Sequence, residues 1–151
     1  MSVLVPAIVD TNVVVAGLLT SDAVSPPARI LNGMISGDFP FVVSVALLAE
    51  YRQVLARDRI RARHGLSMDK VDGILTAVAA NTIVREPVAS DEAAPEAGDQ
   101  HLWDLLAAAP GAVLVTGDKR LIENAPSGVS IMLPGAFLDS AHVRVVFQEE
   151  P

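Results

Sequence analysis

The feature that most restricts this chain is a pair of short apolar runs that each stop at an aspartate. Val3 to Val9 is almost continuously apolar, with one proline near its start, and ends in Asp10. Ala112 to Thr116 is a second such run and closes in the polar cluster Thr116-Gly117-Asp118-Lys119. Unbroken apolar runs of this length read as strands buried on both faces, the pattern of a parallel sheet covered by helices. A carboxylate does not pack, and burying it without a partner costs free energy. Each aspartate is therefore expected where a strand ends and the sheet opens.

Helical segments fill the chain between these runs. Ser25 followed by Pro26 predicts a helix start, with Pro27, Ile30, Leu31, Met34 and Ile35 at helical spacing and a stop at Gly37. Phe41 to Val43 predicts a short strand. Ser44 then caps a helix running to about Arg57, with Leu47, Leu48, Tyr51, Val54 and Leu55 on its apolar stripe and Glu50 at the stripe's edge. A third amphipathic helix begins near Ser67, turns Val71, Ile74, Leu75 and Val78 inward, and leads into a strand over Thr82 to Val84. Residues 85–98 hold Pro87, Pro95, Gly98 and four acids and read as an exposed loop. Asp99 opens a helix with Leu102, Leu105, Leu106 and Ala109 inward, ended by Pro110-Gly111. A last strand, Ser130 to Leu133, precedes a Pro134-Gly135 turn and a helical turn around Phe137.

Strands alternating with helices predict an α/β fold, a three-layer α/β/α sandwich on a mainly parallel sheet of four to five strands. One domain is expected over residues 1–140, with a tail at 141–151. In such sheets ligands gather beyond the carboxyl ends of the strands. Asp10 and Asp118 stand there.

Composition narrows the chemistry. There is no cysteine, which excludes disulfides, thiolate metal sites and thiol nucleophiles, so any metal must be held by oxygen or histidine. No apolar run approaches the roughly 18–20 residues that span a bilayer, and the opening lacks the basic start of a signal peptide. A soluble, cytoplasmic protein with no membrane partner is the expectation. A net charge of −7 argues at first against nucleic acid, whose affinity comes largely from Lys and Arg. Neutralising four acids with bound cations would leave only −3 of that −7. Arg52, Arg57, Arg59, Arg61 and Arg63 are moreover five of the eleven Lys and Arg. They form either a basic patch or a solvated helix end with a charged turn, and composition leaves both open.

The candidate chemical residues are Asp10, Glu50, Asp99 and Asp118. Any one of these aspartates alone is most simply an N-cap or loop acid. Two at strand ends, with Glu50 beside an apolar helix face and Asp99 opening another helix, point instead to a converging acidic site. Clustered carboxylates stay ionised together only with positive charge between them. Mg2+ or Mn2+ suits that task, because both are hard, prefer oxygen ligands and pair with phosphate. Two such ions can stabilise the attacking and leaving oxygens of a phosphodiester and lower the pKa of a water. His64, His101 and His142 share no metal-ligand spacing and are expected at the surface, as is Asp104. Tyr51 and Trp103 can stack a base, but both sit beside inward positions and packing accounts for them better, for Trp103 at an oligomer or partner interface. Lys119 and Arg120 either meet substrate phosphate or are simply solvated.

Taken in order, Ile8-Val9-Asp10-Thr11-Asn12-Val13, the segment Ser44 to Tyr51 followed by Val54 to Arg57, Asp99-Gln100-His101-Leu102, and Leu114 to Leu121 resemble the PIN-domain ribonucleases, which include the VapC-like toxins of toxin-antitoxin systems. The resemblance runs from about Ala7 to Phe137. It implies a parallel sheet flanked by helices and Mg2+- or Mn2+-dependent cleavage of RNA. It also implies that Asp10, Glu50, Asp99 and Asp118 are the catalytic and metal-binding quartet, with Asn12 and Thr116 orienting the acids by hydrogen bonds. Asp91, Glu92 and Glu96 are rivals for the third place, which goes to Asp99 because it keeps the step of three to Leu102 and six to Leu105. The same resemblance implies homodimerisation and a small antitoxin covering the acidic cleft.

Two other functions stand beside this one. A catalytically silent RNA- or protein-binding module would keep the fold without binding divalent cations. A phosphatase of haloacid-dehalogenase type would use the aspartate after the first strand as nucleophile, but wants a second acid two residues on, where this chain has Asn12.

Overall fold

The sheet is built from strands so short that what continues or interrupts each one can be named. The structure is a computed structural model and describes residues 5–140. The expectations for Val3, Leu4, His142 and the tail at 141–151 lie outside the described residues. Strand β1 (Ala7–Val9) pairs in parallel with β4 (Val113–Val115), and β4 pairs in parallel with β5 (Ser130–Met132). β2 (Val42–Val43) and β3 (Ile83–Val84) form a separate parallel pair. One bridge, Ala7 to Phe41, joins the two sets.

The α/β class and the parallel pairing are as expected, but the main sheet has three strands rather than four to five. The reason lies at the end of β1. The Ala7 amide donates to the Pro40 carbonyl at 3.0 Å, which starts a ladder toward β2. Two residues on, the Val9 carbonyl accepts from the Tyr51 hydroxyl at 2.5 Å, so a side chain occupies the acceptor that would carry that ladder further. Tyr51 is fully buried, and burial raises its phenol pKa well above the ordinary value, which keeps it a neutral donor.

Helices cover the sheet: α1 (Thr11–Leu19), α2 (Pro26–Ser36), α3 (Val45–Leu55), α4 (Asp58–His64), α5 (Met68–Asn81), α6 (Gln100–Ala108), α7 (Lys119–Glu123) and α8 (Pro134–Asp139). The local signals act as expected in α2, α3 and α5. Ser25, Ser44 and Ser67 each accept a hydrogen bond from the amide three residues on, and Gly37 ends α2 at a φ of 72°. Asn81 of α5 reaches back to the exposed carbonyls at the end of α2, donating to Ile35 at 2.8 Å. Gly17 lets α1 lie against α2, since a Cβ there would stand 2.6 Å from the Pro27 carbonyl oxygen.

Three helices run where no helix signal is readable from the residues. α1 contains Val13-Val14-Val15, β-branched residues with poor helix propensity, held helical because Val13 and Val14 are buried in the core. α4 and α7 have seven and five residues, too short for a readable period. Pro134-Gly135 begins α8 rather than making a turn, with proline in the first helical turn. One contiguous core joins β1, β2 and β4 to Leu47, Leu55, Leu102, Leu105, Phe137 and the fully buried Trp103. Trp103 is thus a packing residue, and its expected place at an interface is not where its side chain lies.

Candidate active site

The carboxyl end of β1 carries the first candidate acid. The Asp10 amide makes the last rung to β4, donating to the Val115 carbonyl at 2.9 Å. Its side chain is 7% exposed and fully engaged. One oxygen accepts from the Thr11 amide at 2.7 Å, which also caps α1. The other accepts from the Thr116 hydroxyl at 2.8 Å and the Asn12 amide at 3.1 Å. The buried Thr116 hydroxyl in turn accepts from the Asp118 amide at 3.0 Å, and Asn12 Oδ1 accepts from the Gly117 amide at 2.9 Å. Asn12 and Thr116 therefore tie the ends of β1 and β4 into one unit. Burial raises the Asp10 pKa, the Thr116 and Thr11 hydrogen bonds oppose the rise, and the charges of Asp99 and Glu50 add to it.

Glu50 projects from α3. Its Oε2 accepts from the Thr11 hydroxyl at 2.5 Å and lies 3.5 Å from His101 Nε2. His101 was expected at the surface; instead α6 brings it against Glu50, and its Nδ1 is buried without a hydrogen-bond partner among the described residues. Neither Thr11 nor His101 was singled out from sequence. The one sequence signal for Thr11 is its place next to Asp10, and His101 carries no spacing signal. His64 is half-buried rather than freely exposed: Nδ1 accepts from the Leu66 amide at 2.9 Å, leaving Nε2 to donate to the Leu55 carbonyl at 3.0 Å, which pins α4 to α3.

Asp99 precedes α6 but makes no capping hydrogen bond, so its carboxylate is left to the cleft. Burial raises its pKa, and the charges of Asp118 and Glu96 raise it further. Asp118 follows β4 and caps α7 through the Arg120 amide at 3.0 Å. The Arg120 guanidinium holds the same carboxylate, at 3.2 Å from Nη2 to Oδ2, and draws its pKa below the ordinary value. Arg120 also binds Glu96, so although it is exposed its guanidinium is engaged by two carboxylates rather than left free for substrate. Lys119 is exposed.

All four acids line one cleft of about 700 Å³, together with Thr11 and Asn12. Among the rivals for the third place, Glu96 sits on Arg120 and Glu92 accepts from the Ser127 amide at 2.9 Å; the cleft is lined by Asp99 and by none of the three rivals. Asp104 is not a plain surface acid: it accepts from the Ser90 amide at 3.0 Å and from Gln100 at 3.1 Å, fastening residues 85–98 to α6. Among the described residues, no three Asp, Glu or His side chains are drawn close enough to cage an ion as they stand. The donor set is all carboxylate oxygen and suits a hard dication, and like charges keep apart unless a cation draws them together. No helix among the described residues is long and apolar enough to cross a membrane.

No curated protein and no solved structure was found to match the chain. A family model described as a PIN domain matches residues 6–120, a span that begins just before β1 and takes in all four acids with their hydrogen-bond partners Thr11, Asn12 and Thr116. By that match the chain belongs to the PIN-domain family.

Proposed function

We propose that this protein is a metal-dependent endoribonuclease that hydrolyses RNA phosphodiester bonds, and that it acts as the toxin of a toxin-antitoxin pair. The observation that carries the nuclease reading is the convergence of Asp10, Glu50, Asp99 and Asp118 on one cleft, with Asp10 locked at the junction of β1 and β4. These four side chains would hold Mg2+ or Mn2+. When bound, the ion supplies Lewis acidity at the phosphate and lowers the pKa of a water to make the nucleophile. The chain's own groups do the rest. Thr116 and Asn12 fix one Asp10 oxygen and the Thr11 amide fixes the other, so the carboxylate cannot swing away from the cleft. The Thr11 hydroxyl orients Glu50 in the same way. Burial around Asp10 excludes water and strengthens every charge interaction there.

Homodimerisation and an antitoxin that covers the cleft with a basic side chain belong to the same proposal. The test is cleavage of a mixed RNA pool by purified protein with Mn2+. Cleavage that stops on chelation and in Asp10→Asn supports the reading; no cleavage under any divalent cation, or equal cleavage by the variant, refutes it. The open spacing of the acids is the one observation that favours a catalytically silent module instead, and that module would show no heat of cation binding.

A further inference from the structure

The acidic cleft does not end at the acids. Its lining continues along α1 and α3 over Val15, Ala16, Leu19 and Val54 to two arginines, Arg57 and Arg63, at either end of α4. The five arginines between residues 52 and 63, indistinguishable by composition, are sorted by the fold. Arg52 is committed to Asp72 through two hydrogen bonds, at 2.8 and 3.2 Å. All five are exposed, and Arg59 and Arg61 lie outside the cleft lining. Arg57 and Arg63 line the cleft, and among the described residues neither guanidinium has a hydrogen-bond or ion-pair partner.

We propose that Arg57 and Arg63 form a phosphate subsite for a single strand of RNA laid along α1, next to the phosphate held at the acids. This rests on the nuclease reading of the same site. A guanidinium presents a fork of donors that matches a phosphate, and an unpaired one gives up no protein partner to bind it. Apart from Thr20 at the end of α1, the strip between the two charged ends is aliphatic, so it takes the face of an unstacked base and leaves the sugar-phosphate chain to span from acids to arginines. A duplex keeps its bases stacked inside and cannot place one on that strip, so the subsite selects single strands. The arrangement also answers the charge difficulty: an acidic protein holds a polyanion through a local pair of cations set beside its metal site.

The two arginine pairs supply a charge-matched control. Binding of a fluorescently labelled short single-stranded RNA is measured by anisotropy in calcium, for the wild type, Arg57→Gln/Arg63→Gln and Arg59→Gln/Arg61→Gln, between about 50 and 200 mM salt. The expected result is a Kd raised at least about tenfold in the first double variant, with the log–log salt slope reduced by about 1.4, roughly 0.7 for each lost contact to a single strand. The second double variant should stay within about twofold of wild type, and a duplex of the same sequence should bind more weakly than the single strand. Equal effects of the two pairs, no effect of either, or no RNA binding by the wild type would overturn the subsite. The outcomes also separate it from the nuclease reading. Arginine-dependent binding without cleavage keeps the subsite and loses the enzyme, whereas cleavage with binding indifferent to Arg57 and Arg63 does the reverse.

Discussion

Asp10 and Asp118 stand at equivalent places, each just past a neighbouring parallel strand and each capping the helix that follows, yet the fold treats them in opposite ways. Asp10 is buried, bound by three neutral donors and raised in pKa. Asp118 is partly exposed, clasped by the Arg120 guanidinium and lowered. The first carries a charge that burial disfavours and hydrogen bonds hold; the second carries a charge that an exposed guanidinium already balances. One side of the cleft is therefore rigid and electrostatically costly, and the other is adjustable.

The sharpest way to break the contrast is to remove the rigid acid. Asp10→Asn should lower RNA cleavage by about 10³-fold or more, since losing a ligand at the reacting phosphate forfeits several kcal/mol; steady-state rates with Mn2+ measure it. Asp118→Asn should fall measurably less, and equal losses would mean the two ends are not distinct.

Next in size is the support beneath Asp10. Thr116→Val removes a fully buried hydroxyl that donates to Asp10 and accepts from the Asp118 amide. Mn2+ affinity should fall roughly 10–100-fold, the usual cost of losing a group that orients a ligand. Leaving buried polar groups unsatisfied should also cost about 1–3 kcal/mol of stability, readable by denaturant titration.

The pH dependence of stability tests the electrostatics directly. Asp10 and Asp99 are raised above the ordinary 3.8, so the folded state holds their protons more tightly than the unfolded chain. Their contribution therefore favours folding below pH 3.8 and is lost as pH rises through the raised values. A dication should relieve that loss. Mn2+ should raise Tm at neutral pH, and the gain should fade as the solution is acidified toward 3.8. A gain that persists below that value would place the ion elsewhere.

The smallest effect should come from the adjustable side. Arg120→Gln frees Asp118 and Glu96 of their shared cation, and Mn2+ affinity should tighten, by less than about tenfold for so exposed a contact. Weaker binding would show that Arg120 supports the ion rather than competes with it.

The same contrast explains what was readable in the chain. Ser25, Ser44, Ser67 and Gly37 act on amides or backbone angles within a few residues, so their roles were legible. So were the strand-end positions of Asp10 and Asp118, because an unbroken apolar run marks the extent of a strand buried on both faces. The rest depended on contacts across the chain. Tyr51 was legible as a core residue, but not as the donor that takes the Val9 carbonyl and narrows the main sheet to three strands. α1 is helical against the preference of its three valines because the core needs that face. His101 meets Glu50 only once α6 packs against α3, and the cleft-facing pair Arg57 and Arg63 separates from its neighbours only when α4 is in place. Asp99 kept its place over Glu96 because it begins α6 without spending its carboxylate on a cap.

The central claim is that four carboxylates, anchored by Asp10, hold a divalent cation. Calorimetric titration of Mn2+ into wild type, Asp10→Asn and Asp99→Asn at neutral pH tests it most directly. Saturable binding by the wild type, abolished in Asp10→Asn and weakened in Asp99→Asn, is the expected result. No saturable heat in the wild type, or an isotherm that Asp10→Asn leaves unchanged, would contradict it.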